Sequence, residues 1–499
     1  MEVKFKKSVF SCLHTPLRET RNTEQTQELK LPDTMPDIGH ILAAWGQPVL
    51  RSKEWNGDYA AFSGGMMVWV LYKPEDGSEE QCLETWIPIQ MKWPLPEGAR
   101  EGALRILCLP RQVDARTVSA RKMMIRAGMG VLAEAFSPME CEYYPPDSDV
   151  EGLEQLRTAY PVRIPTEAGE KVFQIDEELT LPDSAPLPER ILSYRMQPKL
   201  TDKKILGSKI VFRGNGNLHV LYRSEEGQLH SRDFALPFSQ YAELSQEHGT
   251  DAAVDVMLTP TGVEAELDQE GHMHLKSSIA SQFLIIDKQL IDVVEDVYSP
   301  GREVEMDTTE LEIPAVLERR SENLYGEQNI SAEGTRVVDV SFQPDFPRQM
   351  RREDGVELTF PGTFQVLYYD GDGALRSGTA RWDGSAYLKA DEHVRITGIP
   401  EMAELQASAN GSQIQMKADF PVEIITTADQ KIPMVSAART GELLPVNPNR
   451  PTLILRRAGE SRLWDIAKAT GSTMEGIRRV NNLQNEPSPQ QMLLIPIRG

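Results

Sequence analysis

The sequence predicts a mainly β protein: three tandem antiparallel β-domains plus a small C-terminal α+β domain in the order βααβ. Three observations support this prediction. A set of short motifs recurs three times, the segments around the motifs alternate apolar and polar residues, and residues 452–499 change to helical periodicity. The chain of 499 residues is also too long for a single hydrophobic core.

Three landmarks recur in the same order along the chain. The first is Glu-Leu-x-Leu-Pro or its isoleucine variant, which begins at Glu28, Glu178 and Glu310. The second is Gln-Pro, at residues 47–48, 197–198 and 343–344. The third is Val-Leu-Tyr with a glycine five residues after the tyrosine, at residues 70–77, 220–227 and 366–373. The second and third landmarks keep the same offset from copy to copy, which indicates a repeated domain.

The repeats predict β-domains at residues 28–150, 178–300 and 310–436. GNLHVLYRSEEGQLHSRDFALPF, around Gly227, alternates apolar and polar residues as a half-buried β-hairpin does. Later alternating runs, such as GHMHLKSSIASQF, add further strands. Residues 1–27 are predicted to form either an N-terminal arm or an additional strand of the first domain.

A stiff linker is predicted between the third copy and the C-terminal domain. LLPVNPNRP, residues 443–451, contains three prolines and two asparagines, a composition typical of an extended linker. We expect this linker to hold the C-terminal domain away from the β-domains.

Local signals define two helices between the two strands of the C-terminal domain. Ser461 is predicted to cap the first helix, and Gly471 is predicted to end it in the left-handed conformation. Ser472 and Glu475 are predicted to form a capping box for the second helix. Asn481-Asn482 is predicted to end that helix.

Charge divides the chain into two parts. The formal net charge is −22, which disfavours nucleic acid and anionic membrane surfaces as partners. Residues 451–499 are different, with seven basic and four acidic side chains. A protein partner or a neutral polymer therefore fits the chain best.

No catalytic pattern is evident, and we expect no enzyme activity, no cofactor and no metal. His272 and His274 form the only close histidine pair, without a third ligand nearby in sequence. A wall hydrolase would require one of three similar copies to be catalytic. The four cysteines have no metal-ligand spacing and are predicted to be free, mostly buried thiols: Cys12, Cys82, Cys108 and Cys141.

The C-terminal segment resembles the LysM domain over its whole length. GESRLWDIA, residues 459–467, is similar to the opening of that family, and PQQMLLIP, residues 489–496, to its closing strand. LysM domains usually bind chains that contain N-acetylglucosamine, such as peptidoglycan or chitin. The resemblance implies a groove or docking surface formed by Gly459, Glu460, Ser461, Arg462, Trp464, Leu483, Gln484 and Asn485. For Trp464, packing in the core and contact with a ligand both remain open.

The three copies resemble the SPOCS domain (DUF3794), which occurs in tandem before a C-terminal LysM domain in endospore-forming Firmicutes. The resemblance covers nearly all of residues 28–499. It implies a non-enzymatic scaffold of the spore coat in the mother-cell cytosol, docked through the LysM domain to a coat-morphogenetic protein such as SpoIVA on the forespore surface. The alternative is a protein of the cell wall or cortex that binds peptidoglycan or another N-acetylglucosamine glycan. No signal peptide or membrane-spanning segment is predicted, and no direct membrane insertion is expected.

Overall fold

The computed structural model of the protein describes residues 2–146, 152–268, 271–401, 403–445 and 451–497. The chain is 75% strand and 3% helix, arranged in several small antiparallel sheets. The prediction of a mainly β protein is therefore confirmed.

The first β-unit consists of two three-stranded sheets. A short strand β1 (Glu2–Lys4) precedes it. Its own strands are β2 (Ser8–Lys30), β3 (Ile38–Asn56), β4 (Tyr59–Pro74), β5 (Gln81–Pro94), β6 (Ala103–Ser119) and β7 (Lys122–Tyr143). One sheet has the order β2-β7-β6 and the other has the order β3-β4-β5. Alternating apolar residues on both sheets face each other and form one buried core.

The second β-unit repeats this arrangement. Its strands are β8 (Glu154–Leu179), β9 (Pro188–Leu206), β10 (Lys209–Ser224), β11 (Leu229–Glu243), β12 (Ala253–Leu267) and β13 (Met273–Tyr298). They form the sheets β12-β13-β8 and β11-β10-β9. The order of strands in each sheet therefore matches that of the first unit.

The third β-unit has the same long strand pair but more strand breaks. Its strands are β14 (Arg302–Ser331), β15 (Gly334–Pro344), β16 (Arg348–Arg352), β17 (Gly355–Asp370), β18 (Leu375–Lys389), β19 (Arg395–Pro400), β20 (Glu404–Ala409) and β21 (Gln413–Leu443). β21 pairs with β14, β19, β20 and also β1. The N-terminal strand therefore joins the sheet of the last unit.

Two of the three sequence landmarks occupy equivalent places in the units. Gln-Pro lies in β3, β9 and β15, and Val-Leu-Tyr lies in the adjacent strands β4, β10 and β17. The glycines that follow, Gly77, Gly227 and Gly373, have φ angles of 75°, 80° and 75°. These turns require the left-handed conformation that glycine adopts without steric cost.

The first landmark occupies an equivalent place in only two of the three units. Leu29 and Leu179 lie at the end of the first long strand of their units. The third copy, residues 310–314, lies in the middle of β14, and Ile330 stands at the corresponding strand end. The apolar residues of 310–314 alternate because they face the buried junction of the three units. Strand periodicity alone therefore produced this match.

Each unit begins before the landmark that was used to delimit it. Ser8–Lys30 pairs along β7, so most of residues 1–27 forms a strand of the first unit. The second unit begins with β8 at Glu154 and the third with β14 at Arg302.

Segments of the long strands from all three units pack into one shared apolar cluster. Residues two apart on one strand point to the same side, as Val162 and Ile164 do, so each strand contributes pairs of side chains. The buried members are Cys12, Cys141, Val162, Ile164, Ile291, Val293, Leu311, Ile313, Ile432 and Met434. The cluster includes two of the four cysteines, all of which are free and buried as predicted.

A buried chain of ion pairs also joins the three units. Arg105 of β6 donates to Glu134 of β7 over 3.0 Å and to Asp255 of β12 over 2.8 Å. Asp255 accepts a second hydrogen bond, of 2.6 Å, from Arg319 of β14, which also bonds Glu423 of β21. Burial alone would raise the pKa of the Asp255 carboxyl, but the charges of Arg105 and Arg319 lower it. The junction is therefore both apolar and ionic.

The C-terminal module, residues 451–497, has the predicted βααβ order. Its elements are β22 (Leu453–Arg457), α1 (Leu463–Thr470), α2 (Met474–Asn481) and β23 (Met492–Pro496). β22 and β23 form a two-stranded antiparallel sheet. Each helix has eight residues, and no helix among the described residues could cross a membrane.

The predicted linker is described only at its two ends. Leu443 is the last residue of β21, and residues 446–450 lie outside the described part of the chain. The expectation that the module stands away from the β-domains is wrong. Its core includes Tyr298 of β13, so the module packs directly against the second β-unit.

The helix ends follow the prediction in part. Gly471 and Asn482 end α1 and α2 in the left-handed conformation, with φ angles of 65° and 52°. Thr473, rather than Ser472, caps α2 by accepting a hydrogen bond from the Gly476 backbone N–H. The capping box with Glu475 is therefore wrong, because the helix begins one residue later and Ser472 bonds the Pro496 carbonyl instead.

Candidate docking site in the C-terminal module

Hydrogen bonds hold the two predicted groove loops side by side. The Gly459 backbone N–H donates to the Pro489 carbonyl over 3.0 Å. The Leu463 backbone N–H donates to the Glu486 carboxylate over 2.8 Å. The loop after β22 and the loop before β23 therefore meet.

Glu486 takes the role that the sequence assigned to Ser461. The N-cap position of α1 is Arg462, whose side chain makes no capping bond. A carboxylate at a helix N-terminus satisfies a free N–H and complements the helix dipole. Ser461 as the cap is therefore wrong, because a residue distant in sequence reaches the same N–H.

Most of the predicted site residues are accessible on these loops. Glu460, Arg462, Gln484 and Asn485 are exposed, whereas Gly459, Ser461 and Leu483 are half-buried. Arg462 bonds Asp465 over 3.2 Å, and this hydrogen bond lowers the pKa of the Asp465 carboxyl. No heavy atom lies within 4 Å of the position that a β-carbon would take at Gly459, whose φ angle is 64°.

Trp464 lies away from this accessible surface. Its side chain is buried, and its indole N–H donates to the Asp296 carboxylate of β13 over 2.8 Å. Its ring packs edge-on against Tyr298, with 4.8 Å between ring centroids. Of the two interpretations of Trp464, the structure supports packing, here against a neighbouring β-unit.

Further polar contacts fix the module on the second β-unit. Lys468 pairs with Asp296 at 2.7 Å, so that one carboxylate receives both the indole N–H and an ammonium group. The Tyr298 hydroxyl donates to the Ser472 carbonyl over 2.9 Å. Burial raises the pKa of Tyr298, so the hydroxyl remains a donor at neutral pH. These contacts set one orientation of the module.

No sequence motif marks the residues of β13 that contact the module. Asp296 and Tyr298 end an alternating strand, at a place where polar and aromatic residues are common. The strand register shifts between Val294 and Asp296, and an irregularity of this kind redirects side chains at a strand end. Neither the shift nor its partner is visible in local sequence.

The histidine pair in β13 and the turn before it forms a small polar cluster. Asp268 lies 3.3 Å from His272 Nδ1 and 3.4 Å from His274 Nε2. The carboxylate therefore accounts for the placement of both rings. Within the described ranges, no group of three or more His, Cys, Asp or Glu side chains is arranged to hold a metal ion.

Comparison with known families concerns the β-unit on which the module rests. Residues 188–266 match the family model described as SipL, SPOCS domain. The match begins with β9 and ends within β12, so this SPOCS segment includes the Gln-Pro and Val-Leu-Tyr landmarks. It indicates a sporulation-related protein. No curated protein and no solved structure matches the chain.

The SPOCS segment supplies one complete three-stranded sheet of the second unit. The sheets β3-β4-β5 and β15-β17-β18 carry the same landmarks on the same strands. The segment ends before β13, whose final residues contact the C-terminal module. The contact between the C-terminal module and the second β-unit therefore lies outside the residues that match the SPOCS model.

Proposed function

We propose that this protein is a non-enzymatic scaffold of the spore envelope, in which three SPOCS-like β-units form the body and a LysM-like module docks to another protein. The observation that carries the proposal is the SPOCS match at residues 188–266, in a unit that directly bears the βααβ module. The shared junction of the three units supports a rigid body, which suits a scaffold. No cofactor is part of this proposal.

The proposed partner is a coat-morphogenetic protein of the SpoIVA type on the forespore surface, reached from the mother-cell cytosol. The module differs from the acidic body in charge, and its exposed Arg462 stands at the accessible loops. Arginine is common in the energetic centres of protein interfaces, and electrostatic complementarity favours an acidic partner surface.

The second candidate function is binding of peptidoglycan or another N-acetylglucosamine glycan. The contact of the two loops supports it, since the LysM resemblance implies a sugar groove between them. The burial of Trp464 weighs against it, because an aromatic platform for a sugar ring is not available at that position.

The two functions are separated by binding assays on the full chain. The baits are a purified SpoIVA-type protein and insoluble peptidoglycan, and the comparison is a chain that ends at residue 445. We expect the full chain to bind the protein bait, the shortened chain to lose that binding, and peptidoglycan to retain neither. If peptidoglycan alone retained the full chain, glycan binding would be favoured over protein docking.

Charge reversal tests the loop surface of the module. Arg462→Glu should weaken protein docking at least about tenfold, because it places a negative charge beside Asp465. Arg395→Glu is the matched control, since Arg395 is also exposed and ion-paired, with Asp429 in the third unit. Circular dichroism of both variants checks that the fold is kept. Equal affinities of the two variants for the protein bait would show that Arg462 is not part of the interface.

A further inference from the structure

The two edges of the sheet in the C-terminal module are not equivalent. The side-chain amide of Asn481 donates to the Leu494 carbonyl over 2.6 Å and accepts from the Leu494 N–H over 2.8 Å. This amide imitates a neighbouring strand and occupies the outer edge of β23. Only the outer edge of β22 remains for another strand.

The register identifies which backbone groups line that edge. Leu455 lies opposite Leu494, whose N–H and C=O point away from β22 toward Asn481. Residues 455 and 494 therefore form a non-hydrogen-bonded pair, and the Leu455 backbone groups point outward. By alternation, those of Leu453 and Arg457 do so as well. Within the described residues, β22 pairs only with β23.

The face of the sheet opposite the helices is apolar and exposed. Leu493 and Ile495 are buried under the helices, and the residues alternating with them point outward. The exposed fractions are 50% for Leu453, 62% for Leu455, 48% for Met492 and 38% for Leu494. Exposed apolar side chains beside an open strand edge are the features of a strand-addition site.

The charges on this edge define the complementary partner. Arg456 and Arg457 are exposed, the two strands contain no acidic residue, and among the described residues no carboxylate pairs with either arginine. A second copy of the module would bring four arginines to the paired edges with no carboxylate on either strand, and is disfavoured. Arg456 lies opposite the buried Leu493 and so points to the helix side of the sheet, where carboxylates on an incoming strand would form ion pairs with it.

We propose that β22 accepts an extended protein segment with alternating apolar and acidic residues as a third strand of the sheet. The inference rests on the proposed function and specifies it, because it assigns the protein partner to the strand edge. Backbone hydrogen bonds to residues 453, 455 and 457 would position the segment. The exposed leucines would contact its apolar side chains, and Arg456, on the other face of the strand, would select for its acidic ones.

The charge requirement is tested with fluorescein-labelled octapeptides and the full chain. One probe alternates valine and glutamate, and the other alternates valine and lysine. We expect the glutamate peptide to bind at least about tenfold more tightly. Arg456→Glu should abolish this preference, while Arg479→Glu, on the exposed side of α2, should leave it intact. Equal binding of both peptides, or no binding of either, would overturn the inference.

Hydrogen exchange locates the bound segment. With the SpoIVA-type protein bound to the full chain, amides of Leu453, Leu455 and Arg457 should exchange at least about tenfold more slowly. Protection confined to residues 459–462 and 483–486 would reject strand addition but leave docking by the module in place. Absence of any complex would instead contradict the proposed function.

Discussion

The ring of Tyr298 meets the indole of Trp464 edge-on, with 4.8 Å between the ring centroids and 74° between the ring planes. Tyr298 ends the long strand β13 of the second β-unit, and Trp464 lies in the first turn of α1 in the C-terminal module. Edge-to-face aromatic pairs are favourable beyond the area they bury. The pair therefore joins the module to the unit that contains the SPOCS segment.

Trp464→Phe should weaken the attachment of the module to the second β-unit while the core of the module stays filled. The phenyl ring still packs against Tyr298, but the hydrogen bond from the indole N–H to Asp296 is lost. A hydrogen bond to a charged group contributes about 2 kcal/mol, so the free energy of opening α1 should fall by about that amount. Native-state hydrogen exchange of amides 463–470 measures this quantity.

Trp55→Phe is the matched control for that variant. The indole N–H of Trp55 has no hydrogen-bond partner among the described residues, so only ring volume changes. Exchange in α1 should be the same as in the unmodified protein. If both variants leave α1 unchanged, the contact between Trp464 and Asp296 does not hold the module.

Arg105→Met should destabilise the junction of the three β-units. The side chains of Glu134 and Asp255 would remain buried with one counter-charge fewer each. Breaking a buried ion pair from one side costs about 3–5 kcal/mol in the free energy of unfolding. Urea unfolding followed by far-ultraviolet circular dichroism measures the loss.

Arg395→Met serves as the exposed counterpart of the Arg105 variant. The pair of Arg395 with Asp429 is largely accessible to solvent, and such pairs contribute about 1 kcal/mol or less. A similar loss in the two variants would show that the junction does not depend on the ionic chain. Stabilisation by Arg105→Met would directly contradict a stabilising role of the buried ion pairs at the junction.

His248 should make the second β-unit more stable below neutral pH than above it. Burial lowers the pKa of His248, but hydrogen bonds to Glu167 and Asp287 outweigh burial and raise it above 6.5. A raised pKa means that the folded state binds the proton more tightly than the unfolded state. The added stability is therefore complete below about pH 6.5 and lost as pH rises through the folded-state pKa.

His248→Asn should remove this part of the pH dependence. Midpoints of urea unfolding between pH 5 and 9 measure it, and the difference between variant and unmodified protein should shrink as pH rises. His393→Asn, in an exposed loop of the third unit, should keep the original profile. A profile for His248→Asn parallel to that of the unmodified protein would show that His248 does not titrate with folding.

Local patterns predicted the elements better than they predicted the contacts between them. Two landmarks marked equivalent strands in all three units, because a hairpin turn with a left-handed glycine depends on neighbouring residues. The prediction that the landmark at 310–314 is equivalent to the other two copies was wrong, since any half-buried strand alternates apolar and polar residues in that way. The prediction that Ser461 caps α1 was wrong for a different reason. Glu486, which is distant in sequence, accepts the hydrogen bond from the N–H that a local cap would satisfy.

The resemblance named residues on two loops that the structure joins by hydrogen bonds, whereas the packing of Trp464 against another unit could not be predicted. Periodicity placed Trp464 on the apolar side of α1, but it cannot tell whether that side faces the module's own core or another unit. Asp296 and Tyr298 carry no motif, and their role depends on a strand irregularity at Val294. The contact between module and body therefore required the three-dimensional structure.

The proposed role of the C-terminal module is to dock the SPOCS-like body to a protein on the forespore. Fluorescence microscopy of sporulating cells of an endospore-forming Firmicute, expressing the tagged full chain or a chain that ends at residue 445, tests it most directly. We predict a ring around the forespore for the full chain and diffuse mother-cell fluorescence for the shortened chain. A ring that persists without the module, or full-length protein spread along the wall of growing cells, would contradict the claim.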